Sequence, residues 1–397
     1  MRVCVVGGGP AGSRTAEKLL SYGARVVLYE ARPGWEKPCG GGIPERSIDS
    51  FPFLWDPSLP HQSANRARIY SGSGREAAFP MAEPLRIYSR RNLNRFLLAR
   101  ACRAGADVRH TRVRGLERDG RFWRIRDARG EAESFDFLVG ADGASGVVRG
   151  RLLGSSVPLD QTLGVGYYLD DCSSGEIVLK FFPGLDGYLW IFPRTDHLAV
   201  GICGPVGPGW GETLLKEIRR FLTDLYGARV ARNLRKYGAR IPSHPPGTPV
   251  GRTCQGEGWA LVGDAAGFVD PLTREGIHYA LASADLLADA LARGRPDGYA
   301  ETWERNHGGE MAWAFRHRSL FFSRRFNEAF TFFASASPAV QKVISDLIAG
   351  RQPYRTLQRR LAGHAPAAAG SLALRFLERF VAGRPSPPPP GLDFPAR

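Results

Sequence analysis

Three glycine-rich segments and one cysteine carry most of the chemistry that this sequence can offer. The first is Gly7-x-Gly9-x-x-Gly12, placed between a short apolar run and a helical pattern. Glycine there permits a tight turn and lets backbone N–H groups approach a pyrophosphate at the positive end of the following helix. Glu30 closes the next apolar run, about 20 residues on, where a carboxylate binds ribose hydroxyls. In this strand–helix–strand setting the pattern reads as dinucleotide binding rather than an ordinary glycine turn. The second segment, "DFLVGADGASGVVR", holds Asp142, Gly143, Ser145 and Arg149; a plain β-turn would use the same residue types. The third, "GDAAGFVDPLTREGIHYAL", sets Asp264 at a strand end, then small residues, then a helix start at Gly276 and Ile277. That order suits a ribityl chain and a pyrophosphate, and a simple N-cap by Asp264 is the alternative.

The cysteine is Cys39 in "EKPCGGGIP". Four roles offer themselves: metal ligand, redox thiol, nucleophile, or lining residue of a cofactor pocket. The six cysteines, at 4, 39, 102, 172, 203 and 254, form no C-x-x-C pair and have no histidines at zinc spacing. No metal site is therefore expected. No Ser/His/Asp set is visible, a base for nucleophilic catalysis is not evident, and no resolving thiol lies in the local sequence. His278, His307 and His317 stand alone and read as surface or core residues.

These residues need a scaffold. Val3–Val6, the helical pattern through Ala16, Leu19 and Leu20, and "ARVVLYE" up to Glu30 form the start of a parallel α/β sheet. Residues 87–104 read as a helix with Leu93, Phe96, Leu97 and Ala101 on one face. Residues 51–84, rich in Pro, Ser and Arg, look like an insertion. Between 155 and 240 short aromatic runs alternate with turns ("EIVLKFF", "YLWIFP", "HLAVGIC"), which predicts an antiparallel sheet and a second domain. A helix is expected from about Gly276 to Ala292, and residues 299–362 read as helical, aromatic and basic. From residue 364 the composition turns low-complexity, and "PSPPPPGLDFPAR" predicts a disordered or extended tail.

The chain has 397 residues, enough for two or three domains, and 43% hydrophobic residues supply a core. The net charge of +15 favours polyanions: nucleic acid, anionic lipid or a phosphorylated substrate. No nucleic-acid module is evident, so a nucleic-acid partner is not expected. The start resembles a strand rather than a signal peptide, and no run reaches the ~18 apolar residues of a membrane span. A cytoplasmic protein is expected, with peripheral membrane association as an option. "MAWAFRHRSLFFSRRFNEAFTFFASASP" mixes aromatic and basic residues in a way suited to a membrane interface; a helical pair packed on the body is the alternative.

Taken together, the three glycine motifs resemble the FAD-binding set of the large flavoprotein superfamily that includes aromatic hydroxylases. The resemblance implies an α/β fold: an FAD-binding Rossmann-like domain, an inserted antiparallel-sheet substrate domain and C-terminal helices. It implies FAD contacts from Gly7, Gly9, Ala11, Gly12, Glu30 and Ala31, from Arg90 in "SRRNLNRFLL", from Asp142 and Gly143, and from Asp264, Gly276 and Ile277. The expected domains are 1–65, 85–155 and 240–300 for FAD, 66–84 and 156–239 for substrate, and 301–363 for the C-terminal helices.

Narrower features are similar to the geranylgeranyl reductase family: "KPCGGGIP", "YLWIFP" followed by "HLAVGICG", "GDAAGFVDPLTREGI", and "ISDLIAGRQPYRTL" at 344–357. Pro183 stands further from Tyr188 than in the family pattern. Asp270 and Arg274 occupy positions often held by Asn and Gly, and Arg274 falls in the loop expected near the flavin ring. The resemblance implies saturation of C=C bonds in an isoprenoid (geranylgeranyl-type) chain by hydride from reduced flavin. Tyr188, Trp190 and Phe192 alternate along a strand, so they share one face and suit an apolar tunnel wall. Cys39, Tyr188 and Trp190 are the expected catalytic residues. Phe192 and Arg274 join those three as substrate contacts, with Cys39 near the isoalloxazine ring to position or protonate the alkene. The electron donor, NADPH or a ferredoxin partner protein, stays open, as does the oligomeric state. The alternatives are an oxygen-using FAD monooxygenase of an aromatic or polyketide substrate, and a non-catalytic flavin- or lipid-binding protein.

Overall fold

The computed structural model describes residues 1–154, 159–170, 172–227, 230, 234–244 and 247–363. The Pro-rich tail expected from residue 364 lies outside the described residues. The chain divides into two compact units. Among the described residues, one comprises those within 1–37, 90–161 and 240–315, and the other those within 38–89, 162–239 and 316–363.

The first unit is built on a six-stranded sheet. From one edge the strands are Gln255–Gly256, Trp259–Leu261, Phe137–Gly140, Arg2–Val6, Arg25–Tyr29 and Asp107–Arg109. They run parallel except at the Gln255–Gly256 edge. Strands covered on both faces read as continuous apolar runs, and Val3, Cys4, Val5, Leu138 and Val139 are all fully buried. The helices Pro10–Ser21, Arg90–Arg103 and Ile277–Ala292 belong to this unit. So does a three-stranded sheet, Val113–Asp119, Phe122–Asp127 and Ala132–Phe135, whose middle strand alternates exposed and buried residues.

The second unit holds an eight-stranded sheet. Its central part is antiparallel: Asp160–Asp170, His197–Gly204, Tyr188–Pro193 and Glu176–Phe181 in spatial order. The sheet then continues into residues 61–88, which overlap the stretch 51–84 that the sequence presents as an insertion. They form a long hairpin, His61–Tyr70 with Glu76–Tyr88, that joins Glu176–Phe181 in parallel. The sheet, expected from the sequence to be antiparallel, is thus mixed. The buried pair of Arg68 with Glu176, at 2.7 Å, ties the hairpin to that strand.

The helix Trp210–Tyr226 covers one face of this sheet. Leu214, Leu215, Ile218, Phe221 and Leu222 recur at helical spacing and are buried with Leu189, Ile191, Val200 and Ile202. Each such side chain contributes about 1.5–3 kcal/mol on burial. Because strand side chains alternate, committing Leu189 and Ile191 to this core turns Tyr188, Trp190 and Phe192 to the opposite face. Helices Arg324–Ala336 and Pro338–Ile348 start at Ser323 and Ser337, whose hydroxyls accept from the N–H of Phe326 and Val340.

Candidate functional site

In the first unit, the glycine motif divides its labour. Gly7 has φ +105° and donates its N–H to the carbonyl of Tyr29 at 2.8 Å; a Cβ there would lie 2.4 Å from the Ala141 oxygen. A Cβ on Gly12 would lie 1.8 Å from the Gly7 oxygen. Both glycines are therefore required by backbone packed on backbone. Gly9 differs: its φ is −72°, and a Cβ built on it would meet nothing within 4 Å. Gly9 is also the N-cap of the helix Pro10–Ser21, which has no acidic residue in its first turn and no side-chain cap. Open space at an uncapped helix N-terminus is what a pyrophosphate requires.

The Glu30 carboxylate accepts from the N–H of Gly8 at 2.7 Å and of Arg32 at 2.6 Å, so backbone donors fix its position. Ala31 beside it is exposed, and Ala11 is buried. Asp264 pairs with Lys37 at 2.5 Å. Burial alone would raise the Asp264 carboxyl, but Lys37 and the more distant Arg90 hold it below the usual carboxylate range. Gly276 caps the helix Ile277–Ala292, and a Cβ on it would come within 3.2 Å of the Asp264 carboxylate.

Arg90 is buried and opens its helix. The Glu36 carboxylate receives the N–H groups of Arg90 and Arg91, at 2.8 and 3.0 Å, and so caps that helix with negative charge. Arg90 Nη2 donates to Asn94 at 3.2 Å, while its Nε is shielded from solvent with no hydrogen-bond partner among the described residues. Asp142 Oδ2 accepts from the N–H of Val148 at 3.0 Å, and Oδ1 is shielded and unpartnered. Gly143 has φ +83° and nothing within 4 Å of its Cβ position. Arg149 donates to the Ala265 carbonyl at 3.0 Å and so joins the second motif to the third.

These features pass a simple test of fit for FAD. The unit offers an open helix N-terminus for the pyrophosphate, room at Gly143, and unpartnered polar atoms on Arg90 and Asp142. Among the described residues, no group of three or more His, Cys, Asp or Glu could hold a metal ion.

In the second unit, the Cys39 segment is fixed from several sides. The buried Arg194 donates to the Cys39 carbonyl at 2.6 Å. The Cys39 sulfur lies 3.3 Å from the N–H of Gly41. Gly41 has φ +83°, and a Cβ there would come within 2.2 Å of the Tyr88 oxygen. Cβ atoms on Gly40 and Gly42 would press on Phe192, at 2.8 and 3.1 Å. Gly40 and Gly42 thus let this segment lie against Phe192 of the YLWIFP strand, and Gly41 lets it lie against the backbone of Tyr88. Gly40, next to Cys39, is brought against Phe192 and Trp190, and Tyr188 continues the face with its ring 6.0 Å from Trp190 and 6.5 Å from Phe322.

Sequence reasoning singled out neither Arg194, Glu36 nor the Lys37–Asp264 pair. A charged residue directly after an apolar strand is the only signal for Arg194. Lys37 was visible within "KPCGGGIP", but its partner was not.

The fold and the first unit's motifs define an FAD-dependent oxidoreductase. Residues 1–163 match the family described as an FAD binding domain. Geranylgeranyl diphosphate reductase of Rhodobacter capsulatus is 31% identical, across 74% of this chain and 76% of that protein. Digeranylgeranylglycerophospholipid reductase 2 of Methanothermobacter thermautotrophicus is 29% identical, across 80% and 87%. A solved geranylgeranyl bacteriochlorophyll reductase-like protein from Thermoplasma acidophilum shares the fold, with a TM-score of 0.71 at 22% identity over 91% of this chain and 98% of that one. The chain belongs to the geranylgeranyl reductase family of FAD-dependent oxidoreductases.

Burial pushes the Asp142 carboxyl up to about 6, against backbone N–H groups of Val148, Asp142 and Val147 that pull it down. A folded-state value above the ordinary 3.8 means that the folded apoprotein keeps a proton the unfolded chain has released. Asp142 therefore lowers stability as pH rises from about 4 to about 6, by up to about 3 kcal/mol. Thermal unfolding of the apoprotein across this window should show that fall for the wild type and a flatter profile for Asp142→Asn. Parallel profiles for the two proteins would contradict this account of Asp142.

Proposed function

We propose that this protein saturates C=C bonds of a geranylgeranyl-type isoprenoid chain. The observation that carries the reading is the aromatic face of Tyr188, Trp190 and Phe192 with the Cys39 segment laid on it, in a chain related to reductases of geranylgeranyl diphosphate and of digeranylgeranylglycerophospholipid. FAD, when bound and reduced, supplies the hydride for one alkene carbon. In the first unit, Gly9 with its helix N-terminus, Glu30, Arg90, Asp142, Gly143, Asp264, Gly276 and Ile277 would hold it.

The protein's own residues have three tasks. Tyr188, Trp190 and Phe192 give an apolar chain a surface to lie on and keep water from it. Arg194 grips the Cys39 carbonyl and fixes where its side chain can reach. Cys39 Sγ–H then orients the alkene or gives a proton to the second carbon, and the thiol regains that proton from solvent. NADPH or a ferredoxin supplies the electrons.

Among the described residues no helix is long and apolar enough to cross a membrane. Leu320, Phe332 and Phe333 are exposed, at 51, 37 and 38%, on helices that also carry the exposed Arg324 and Arg325. Apolar side chains beside basic ones suit peripheral contact with an anionic lipid surface. Sedimentation with vesicles should pull the protein down when they contain anionic lipid, and the Leu320→Asp/Phe333→Asp variant should stay in solution. Equal recovery of both proteins in the supernatant would sink the membrane reading.

The activity itself is tested anaerobically. The flavin-loaded protein is reduced chemically, given geranylgeranyl diphosphate, and the product weighed. A gain of about two mass units per reduced bond is expected from the addition of two hydrogens. Cys39→Ala should keep its flavin and lose about 10²-fold or more in turnover if the thiol is the acid. Oxygen-dependent hydroxylation with no saturated product would overturn the reductase reading. Full activity of Cys39→Ala would reduce Cys39 to a packing residue.

A further inference from the structure

Arg274 stands apart from the other cations of its unit. Among the described residues it is the one non-glycine residue with positive φ, at 60°. The turn that imposes this conformation is organised by the buried Asp270. Its Oδ1 accepts from the N–H of Leu272 and Thr273 at 2.8 and 2.9 Å, and its carbonyl accepts from the N–H of Arg274 at 3.0 Å. Glycine would take this conformation without steric penalty, so a cation stands here against the backbone's preference. Strain kept at one position points to function.

The guanidinium explains what the strain maintains. Arg274 Nε and Nη1 are shielded from solvent and have no hydrogen-bond partner among the described residues. Two carboxylates of the same segment are held elsewhere, Asp270 by backbone N–H groups and Asp264 by Lys37. Shielded donors left unpaired are unfavourable, and the planar fork of arginine matches phosphate oxygens. The turn also leads into the helix Ile277–Ala292, which has no side-chain cap and no acidic residue in its first turn. Its positive end adds to the same preference for an anion.

We propose that Arg274 receives a phosphate oxyanion, and that this oxyanion is the head of the isoprenoid substrate. The protein then selects phosphate-headed chains over neutral prenols and pigment esters. This assignment rests on the reading of the chain as an isoprenoid reductase. The pyrophosphate of FAD has donors of its own at the Gly9 helix N-terminus, so the unpartnered Arg274 fork is assigned to the phosphate of the substrate.

The test is equilibrium binding of geranylgeranyl diphosphate and of geranylgeraniol to the oxidised, FAD-loaded protein, followed through flavin absorbance. It compares wild type with Arg274→Gly and Arg274→Gln, and FAD affinity and thermal stability are measured alongside. The preference for diphosphate over alcohol should fall about ten-fold or more in both variants, as for loss of a charge-assisted contact. FAD affinity should hold within about two-fold, and Arg274→Gly should melt no lower than wild type, since it relieves the strained φ. An unchanged preference in the folded variants overturns the proposal. Weaker FAD binding with an unchanged preference overturns the head-group assignment and gives the oxyanion to the cofactor. A clear fall in melting temperature for Arg274→Gly makes Arg274 a structural residue and overturns the proposal as well. A shifted preference with no C=C reduction by any of the proteins would leave the phosphate site standing and sink only the reductase reading.

Discussion

Backbone packed directly on backbone at the ends of three parallel strands is the constraint on which the first unit depends. The carbonyl of Val6 accepts from Ala141, and that of Gly140 accepts from Val262, so the strand ends stay in register as the chain leaves the sheet. Gly7 touches Ala141 there, and Gly12 touches Gly7, with no room for a side chain at either. That contact sets the helix Pro10–Ser21 close to the sheet and aims its uncapped N-terminus into open space at Gly9. The motif residues that follow Gly140 and Leu261 inherit their positions from the same strand ends. A methyl group at Gly7 or Gly12 would therefore displace several parts of the site together, while one at Gly9 would take up only the space a ligand needs.

Charge is then distributed by burial. Lys37 keeps Asp264 ionised against desolvation, whereas Asp142, with only backbone donors, is pushed toward its neutral form. Two aspartates at comparable strand ends thus have opposite electrostatic characters, one set by a cation and one by its absence. In the second unit the same economy appears in apolar form. A strand whose odd and even residues serve different faces gives Leu189 and Ile191 to the core and leaves Trp190 and Phe192 for the Cys39 segment.

Much of this was legible in the sequence where the physical demand is local. Glycine at a positive φ, an acid at a strand end and alternating aromatics each leave a short pattern, and these predicted the parallel sheet, the FAD motifs and the aromatic face. The sequence was silent where partners are distant. Lys37 meets Asp264 across 227 positions, Arg194 meets Cys39 across 155, and Glu36 caps a helix 54 residues on. The hairpin at residues 61–88 was hidden for another reason. Pro80 and Pro84 argue against a strand, yet Pro80 pairs with Arg66 beside a shift of register, where a missing N–H is tolerated. Arg274 was visible as a departure from the family pattern, but its strained φ and shielded guanidinium nitrogens came only from the structure.

The central claim is that reduced flavin in this protein passes its electrons to an isoprenoid alkene rather than to oxygen. A single-turnover experiment addresses it most directly: the chemically reduced, FAD-loaded protein is mixed without oxygen with geranylgeranyl diphosphate, and the return of oxidised-flavin absorbance is followed in time. The account predicts that the flavin reoxidises in the absence of oxygen, with a rate that rises with substrate concentration and saturates. Flavin that stays reduced with the isoprenoid and reoxidises only when oxygen is admitted would contradict it.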